Sequence, residues 1–272
     1  MTYYSDHFGF SGVPFSKEID DGQLWLPPSK KAVVSDLVEC VQERKHAVVT
    51  GEPGVGKTCV LRAVRHELGT QPVRLTYCHN VTLGRRDFYR HLCHALAIPY
   101  GSTAGDVFLA VTRHVEDLAR ERTFPVLLID EAHLLHQDTL DHLHILLNYS
   151  WDSKSLLSII LVGLPDLDER LSMRRNRSLH SRLSYHLSIE PLSPADTADY
   201  VRLRLAAMSC TKELFTSDAI ALLHEAASGS LRDVDRIAHN ALRLAARKKR
   251  KLIERDIILA VLQAEGFSGG SA

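Results

Sequence analysis

One eight-residue stretch constrains this chain more than any other. Gly51-Glu52-Pro53-Gly54-Val55-Gly56-Lys57-Thr58 fits G-x-x-x-x-G-K-[ST] at every position. It follows a β-branched run, Ala47-Val48-Val49-Thr50, and precedes a helical pattern with Val60, Leu61 and Val64 on its apolar side. Glycines at such a turn permit positive φ and let backbone N–H groups converge on a phosphate. The helix beginning there directs its partial positive charge at the same anion. Lys57 is then placed to reach the β- and γ-phosphates of ATP, and the Thr58 hydroxyl to hold Mg²⁺. A fortuitous glycine-rich turn would lack that strand–loop–helix context.

A second motif completes the chemistry. Val126-Leu127-Leu128-Ile129-Asp130-Glu131 ends an apolar run in two acids. Acids at the carboxyl end of a buried parallel strand stand where α/β sheets bind ligands. Asp130 is expected to order Mg²⁺, and Glu131 to accept a proton from the water that attacks the γ-phosphate. The competing reading is an N-cap for the next helix. An extra strand between the two motifs and the adjacent Glu favour hydrolysis over transfer to a second substrate.

Around these motifs, strand-like runs near Val73–Tyr77, Pro125–Ile129, Leu157–Val162 and Leu183–Ile189 alternate with helical patterns, as in a parallel sheet flanked by helices. After Glu190 only helical periodicity remains, at 194–208, 216–228, 231–247 and 254–264, with Ser193 as N-cap and Pro194 at the first helical position. The expected division is 1–29, an irregular aromatic segment lying on the core; 30–192, an α/β nucleotide-binding domain; and 193–272, a helical lid. A length of 272 residues suits about two domains.

The chain resembles the AAA+ ATPases, a P-loop NTPase family, over essentially its whole length. It is similar in particular to the ExeA-like ATPases and the transposition regulators of the TniB/TnsC type. That resemblance rests on Phe8-Gly9-Phe10 with Pro14-Phe15, Thr50-Gly51-Glu52, Asp130-Glu131-Ala132-His133 and Leu146-Leu147-Asn148. Ile159-Ile160-Leu161-Val162-Gly163, Pro165-Asp166-Leu167 and Glu190-Pro191-Leu192-Ser193 also carry it. It implies that Arg182, in Ser181-Arg182-Leu183, is an arginine finger reaching a neighbouring subunit's ATP, with Arg174, Arg175 and Arg177 as competitors. It also implies that Arg232, in Gly229-Ser230-Leu231-Arg232, is a lid arginine touching the γ-phosphate; the alternative is a helix-start salt bridge. A desolvated guanidinium stabilises the charge spread over a transferring phosphoryl group.

Two positions depart from the family pattern. Leu164 stands where a polar sensor is usual, and a leucine cannot hydrogen-bond the attacking water. Cys59 replaces a common hydroxyl residue, at the end of the expected nucleotide-binding run 51–59. Pro14 and Phe15 either flank the adenine or pack against the core.

Lys+Arg and Asp+Glu both number 33, so the chain has no uniformly basic coat. Charge is nonetheless clustered. Arg170, Arg174, Arg175, Arg177 and Arg182 fall together without an acid, and the run from Arg243 to Arg255 contains only Glu254 as an acid. Either run could hold DNA phosphates in a salt-dependent way or form a solvated helix face. The 15 histidines include His133, His136, His142 and His144, whose spacing does not converge as H-E-x-x-H does; surface or capping positions are expected, and no transition metal. The 5 cysteines lack paired spacing, and no apolar run is long enough for a bilayer span. The combined expectation is a cytoplasmic Mg-ATP-dependent ATPase that forms homo-oligomers on double-stranded DNA and regulates or recruits a transposase. A secretion-associated ExeA-like ATPase and an ATP-assembled interaction module are the alternatives.

Overall fold

The structure, a computed structural model, describes residues 3–79, 82–151, 153–210 and 212–266. It contains two compact units. One comprises Pro28–Glu52 and Lys57–Ile189; the other comprises Met1–Pro27, Pro53–Gly56 and Glu190–Ala272.

The N-terminal segment differs from the expectation of an irregular strap on the ATPase core. It opens with a helix, α1 (Tyr3–Phe8), and belongs to the helical unit. Tyr4, Phe10 and Phe15 are buried there in one cluster with Tyr200, Val201 and Leu205. An aromatic segment this short cannot enclose a core of its own, so it buries its rings against helices that leave an apolar face. Arg204 adds a polar tether: its Nε donates to the Pro14 carbonyl and its Nη2 to the Ser16 carbonyl, each at 2.6 Å.

The sheet unit begins with α2 (Pro28–Gln42), which buries Val33, Val34, Leu37, Cys40 and Val41. Five strands follow: β1 (His46–Thr50), β2 (Val73–Cys78), β3 (Phe124–Ile129), β4 (Ser158–Gly163) and β5 (Leu183–Ser188). Their spatial order is β2-β3-β4-β1-β5, with every pairing parallel. In space, therefore, β4 lies between the phosphate-loop strand and the acidic strand, whereas β2, which intervenes in sequence, is an edge strand. Parallel pairing brings the loops after β1, β3 and β4 to one edge of the sheet. Its crossover helices are α3 (Lys57–Leu68), α4 (Arg85–Leu96), α5 (Ala104–Arg120), α6 (Gln137–Leu146), α7 (Asp166–Ser172) and α8 (Arg177–His180). β4 is buried along its whole length, as a central strand covered on both faces must be.

The helical unit continues with α9 (Pro194–Ala206), α10 (Ser217–Ala227), α11 (Leu231–Arg247) and α12 (Arg255–Ala264). Ser193, Thr216 and Ser230 cap the first three, each side chain accepting from a backbone N–H of the first turn. α11 buries Val234, Ile237, Ala238, Ala241, Leu242 and Ala245, a stripe at helical spacing. No helix among the described residues is long and apolar enough to cross a membrane.

Candidate functional site

Lys57 opens α3, and its Nζ donates to the carbonyls of Gly51 at 2.6 Å and Glu52 at 3.1 Å. The ammonium is thus folded over the loop that precedes it. Gly51 N donates to the Gly163 carbonyl at 3.2 Å, anchoring the start of the loop to the end of β4. Gly54 and Gly56 have φ of 82° and 104°, values that a residue with a Cβ adopts only under strain. A Cβ at Gly54 would also overlap Ser230 Oγ and lie 3.1 Å from Arg232 Cβ. Val55 is buried, while Glu52, Pro53 and Thr58 are exposed and Cys59 is half-buried on the first turn of α3.

Asp130 follows β3 and is only 7% exposed. Its Oδ1 accepts the Glu131 N–H at 2.9 Å, and its Oδ2 accepts the Tyr77 hydroxyl at 2.6 Å. Each oxygen keeps a further lone pair. Glu131 is exposed and held in the left-handed region at φ 54° and ψ 33°. Its carboxylate faces His133 Nε2 at 3.6 Å.

These groups fit MgATP: loop amides and an ammonium for phosphate, a hydroxyl at the helix start, and a fixed carboxylate with acceptor capacity left over. Residues 40–171 match the family model described as AAA domain. Over this stretch the chain is similar to that family. The fold is of the P-loop AAA+ class, a parallel sheet flanked by helices with further helices after it. It resembles Cdc6p from Pyrobaculum aerophilum at TM-score 0.76 and 18% identity, covering 95% of this chain and 72% of that one. It also resembles the Aeropyrum pernix ORC1 protein solved in complex with DNA, at TM-score 0.69 and 19% identity, covering 93% and 68%. In sequence it is 32% identical over 268 residues to General secretion pathway protein A of Aeromonas hydrophila, covering 97% of this chain. The chain spans about half the length of that relative, 49%.

Outside the AAA domain match, the expected arginines have distinct surroundings. The backbone N–H of Arg232 donates to the Gly54 carbonyl at 3.3 Å, so the start of α11 and the loop tip meet within one unit, and the Arg232 side chain is exposed. Arg182 is half-buried, and its Nη1 donates back to the Ser178 carbonyl at 3.1 Å. The five-arginine run is not one uniform basic surface. Arg170 donates to the His133 carbonyl at 2.9 Å and Arg175 pairs with Asp141 at 3.0 Å. Asp141 arrives from α6, an acid that reading along the run alone does not reveal. Arg174 and Arg177 are exposed, without a side-chain hydrogen bond or ion pair among the described residues. In the second run, Arg250 pairs with Asp256 at 2.7 Å and with Glu254 at 3.4 Å, and Lys251 donates to the His7 carbonyl.

Two neighbours of the site escape motif reading. Tyr77 reads as an ordinary strand aromatic; the available signal was a hydroxyl at the carboxyl end of the strand beside β3. His133 was expected at the surface or as a cap, yet its side chain is 9% exposed. Its Nδ1 accepts the Leu164 N–H at 3.4 Å. The fold places it beneath the β4 loop, which spacing alone does not show.

Proposed function

We propose that this chain binds and hydrolyses MgATP as an AAA+ ATPase. The observation that carries the reading is the Gly51–Thr58 loop, with Lys57 folded onto it, at the same sheet edge as Asp130 and Glu131. Backbone amides of the loop and Lys57 hold the phosphates, and residues 51–59 line the nucleotide. Thr58 and Asp130 would hold Mg²⁺, which would offset negative charge on the phosphate oxygens. Glu131 takes a proton from water. The water oxygen then bonds the γ-phosphorus as the bond to the bridging oxygen breaks, leaving ADP and phosphate. Arg182 of a neighbouring copy and Arg232 of the same copy stabilise the transferring group in a homo-oligomer.

The identity to General secretion pathway protein A runs along 97% of this chain, which favours an ExeA-like, secretion-associated role. A second reading, assembly on double-stranded DNA to regulate or recruit a transposase, is favoured by Arg243, Arg247, Lys248 and Lys249. All four are exposed and without acidic partners among the described residues. Phosphate release from MgATP tests the chemistry: Lys57→Ala should abolish nucleotide binding, and Glu131→Gln should bind ATP and retain it uncut. Normal turnover by Glu131→Gln would remove its role as base. ATP-dependent co-sedimentation with duplex DNA that weakens steeply with salt would support the second reading, and its absence would remove it.

A further inference from the structure

We infer that His133 is a positioning residue for Glu131, linking that carboxylate to the backbone of Leu164. The inference rests on the proposed hydrolytic role of Glu131. Residue 133 is held at its ring and at its backbone. The Leu164 N–H points at Nδ1 at 3.4 Å, and Arg170 Nη1 holds the His133 carbonyl at 2.9 Å. Gly163 leaves room for the approach, because a Cβ there would lie 3.2 Å from both the N and the Nδ1 of His133 and would press on Leu167 Cδ2 at 2.9 Å. An Nδ1 that accepts a backbone N–H leaves the proton of the neutral ring on Nε2. That Nε2 is the atom facing Glu131 Oε2 at 3.6 Å.

Glu131 needs such a guide. It is exposed and itself adopts the left-handed conformation, and its carboxylate makes no hydrogen bond among the described residues. At 3.6 Å the His133 contact is longer than a hydrogen bond. Catalytic contacts of this kind often tighten only when substrate is bound. The arrangement also gives Leu164 a task its side chain cannot perform. The end of β4 acts through a backbone N–H, and His133 carries its position to the base. A shift of the β4 loop would therefore move Glu131 without any polar side chain at 164.

Two independent measurements test this. In the nucleotide-free full chain, nitrogen NMR of the histidine rings should show His133 with Nδ1 bare and Nε2 protonated, and Glu131→Gln should shift the Nε2–H signal. The opposite tautomer, or a signal indifferent to Glu131→Gln, overturns the inference whether or not the protein turns over ATP. In steady-state kinetics, His133→Ala should lower kcat about 10- to 100-fold, with KM for ATP nearly unchanged. His133→Gln, whose amide nitrogen replaces Nε2, should recover most of kcat. His133→Asn, whose shorter amide reaches the place of Nδ1 but not that of Nε2, should not. Unchanged kcat in the Ala variant, or equal rescue by Asn, overturns it. If the wild-type protein releases no phosphate, the ATPase reading fails instead, and the NMR result alone decides the pairing.

Discussion

The Tyr77 hydroxyl donates a 2.6 Å hydrogen bond to Asp130 Oδ2, joining two neighbouring strands at the edge where the candidate site forms. Register pairs Tyr77 with Leu128 and Cys78 with Ile129, so the phenol stands one strand over from the carboxylate it serves. Burial, reinforced by the bond to Asp130, pushes the phenol above its ordinary value, and it remains a donor throughout neutral pH. Tyr77→Phe should leave Asp130 less well aimed. Half-maximal ATPase activity should then need roughly 10-fold more Mg²⁺. A magnesium titration of both proteins checks this, and an unchanged midpoint would mean that Asp130 is held without Tyr77.

Arg182 can be tested as a group acting on a neighbouring copy. Lys57→Ala subunits keep the arginine but lack a working loop, and Arg182→Ala subunits have the reverse defect. Mixing them should restore phosphate release above either alone. A lost trans arginine typically costs about 10³- to 10⁵-fold, so the recovered signal should stand clear of background. Arg174→Ala and Arg177→Ala, mixed in the same way, identify the finger if Arg182 gives no recovery.

The N-terminal segment depends on Arg204. This side chain is buried to 8% exposure, stacks over the Tyr200 ring at 5.6 Å and satisfies two carbonyls of the segment. Arg204→Ala removes two charge-assisted hydrogen bonds and should cost about 3 kcal/mol. Urea unfolding measures the loss, and limited proteolysis should newly cut between residues 9 and 20. Resistance to cleavage there would show that the buried rings alone hold the segment.

Asp235 confers a pH dependence on the helical unit. Burial pushes its carboxyl above the ordinary 3.8, opposed by the Tyr200 hydroxyl, which donates to Oδ1 at 2.7 Å. A carboxyl raised in the folded state binds its proton more tightly there than in the unfolded chain. Stability from this group is therefore greatest in acid and declines as pH rises past 3.8 and through the folded value. Asp235→Asn keeps an acceptor for Tyr200 but cannot ionise. Its Tm should exceed that of the wild type at neutral pH, with the gap closing as pH falls toward 3.8. A constant gap across a series of melts would assign the effect to packing.

How much was legible before the fold was known can be followed residue by residue. The Gly51–Thr58 loop, Asp130 and Glu131 stand out in one dimension because phosphate binding needs a fixed run of backbone and adjacent side chains. The parallel sheet and the run of helices after Glu190 also follow from periodicity, which short-range geometry imposes. Tyr77, His133 and Arg204 do not, since each works through a partner that chain folding alone brings near. The same holds for the arginines: composition counts five in one run, but Asp141 and the His133 carbonyl decide which of them are occupied. Local spacing sets where a triphosphate can lodge. Only long-range contact settles which charges are neutralised, which donors are aimed and where the first aromatic residues are buried, because burial and pairing belong to the assembled chain and not to any stretch of it.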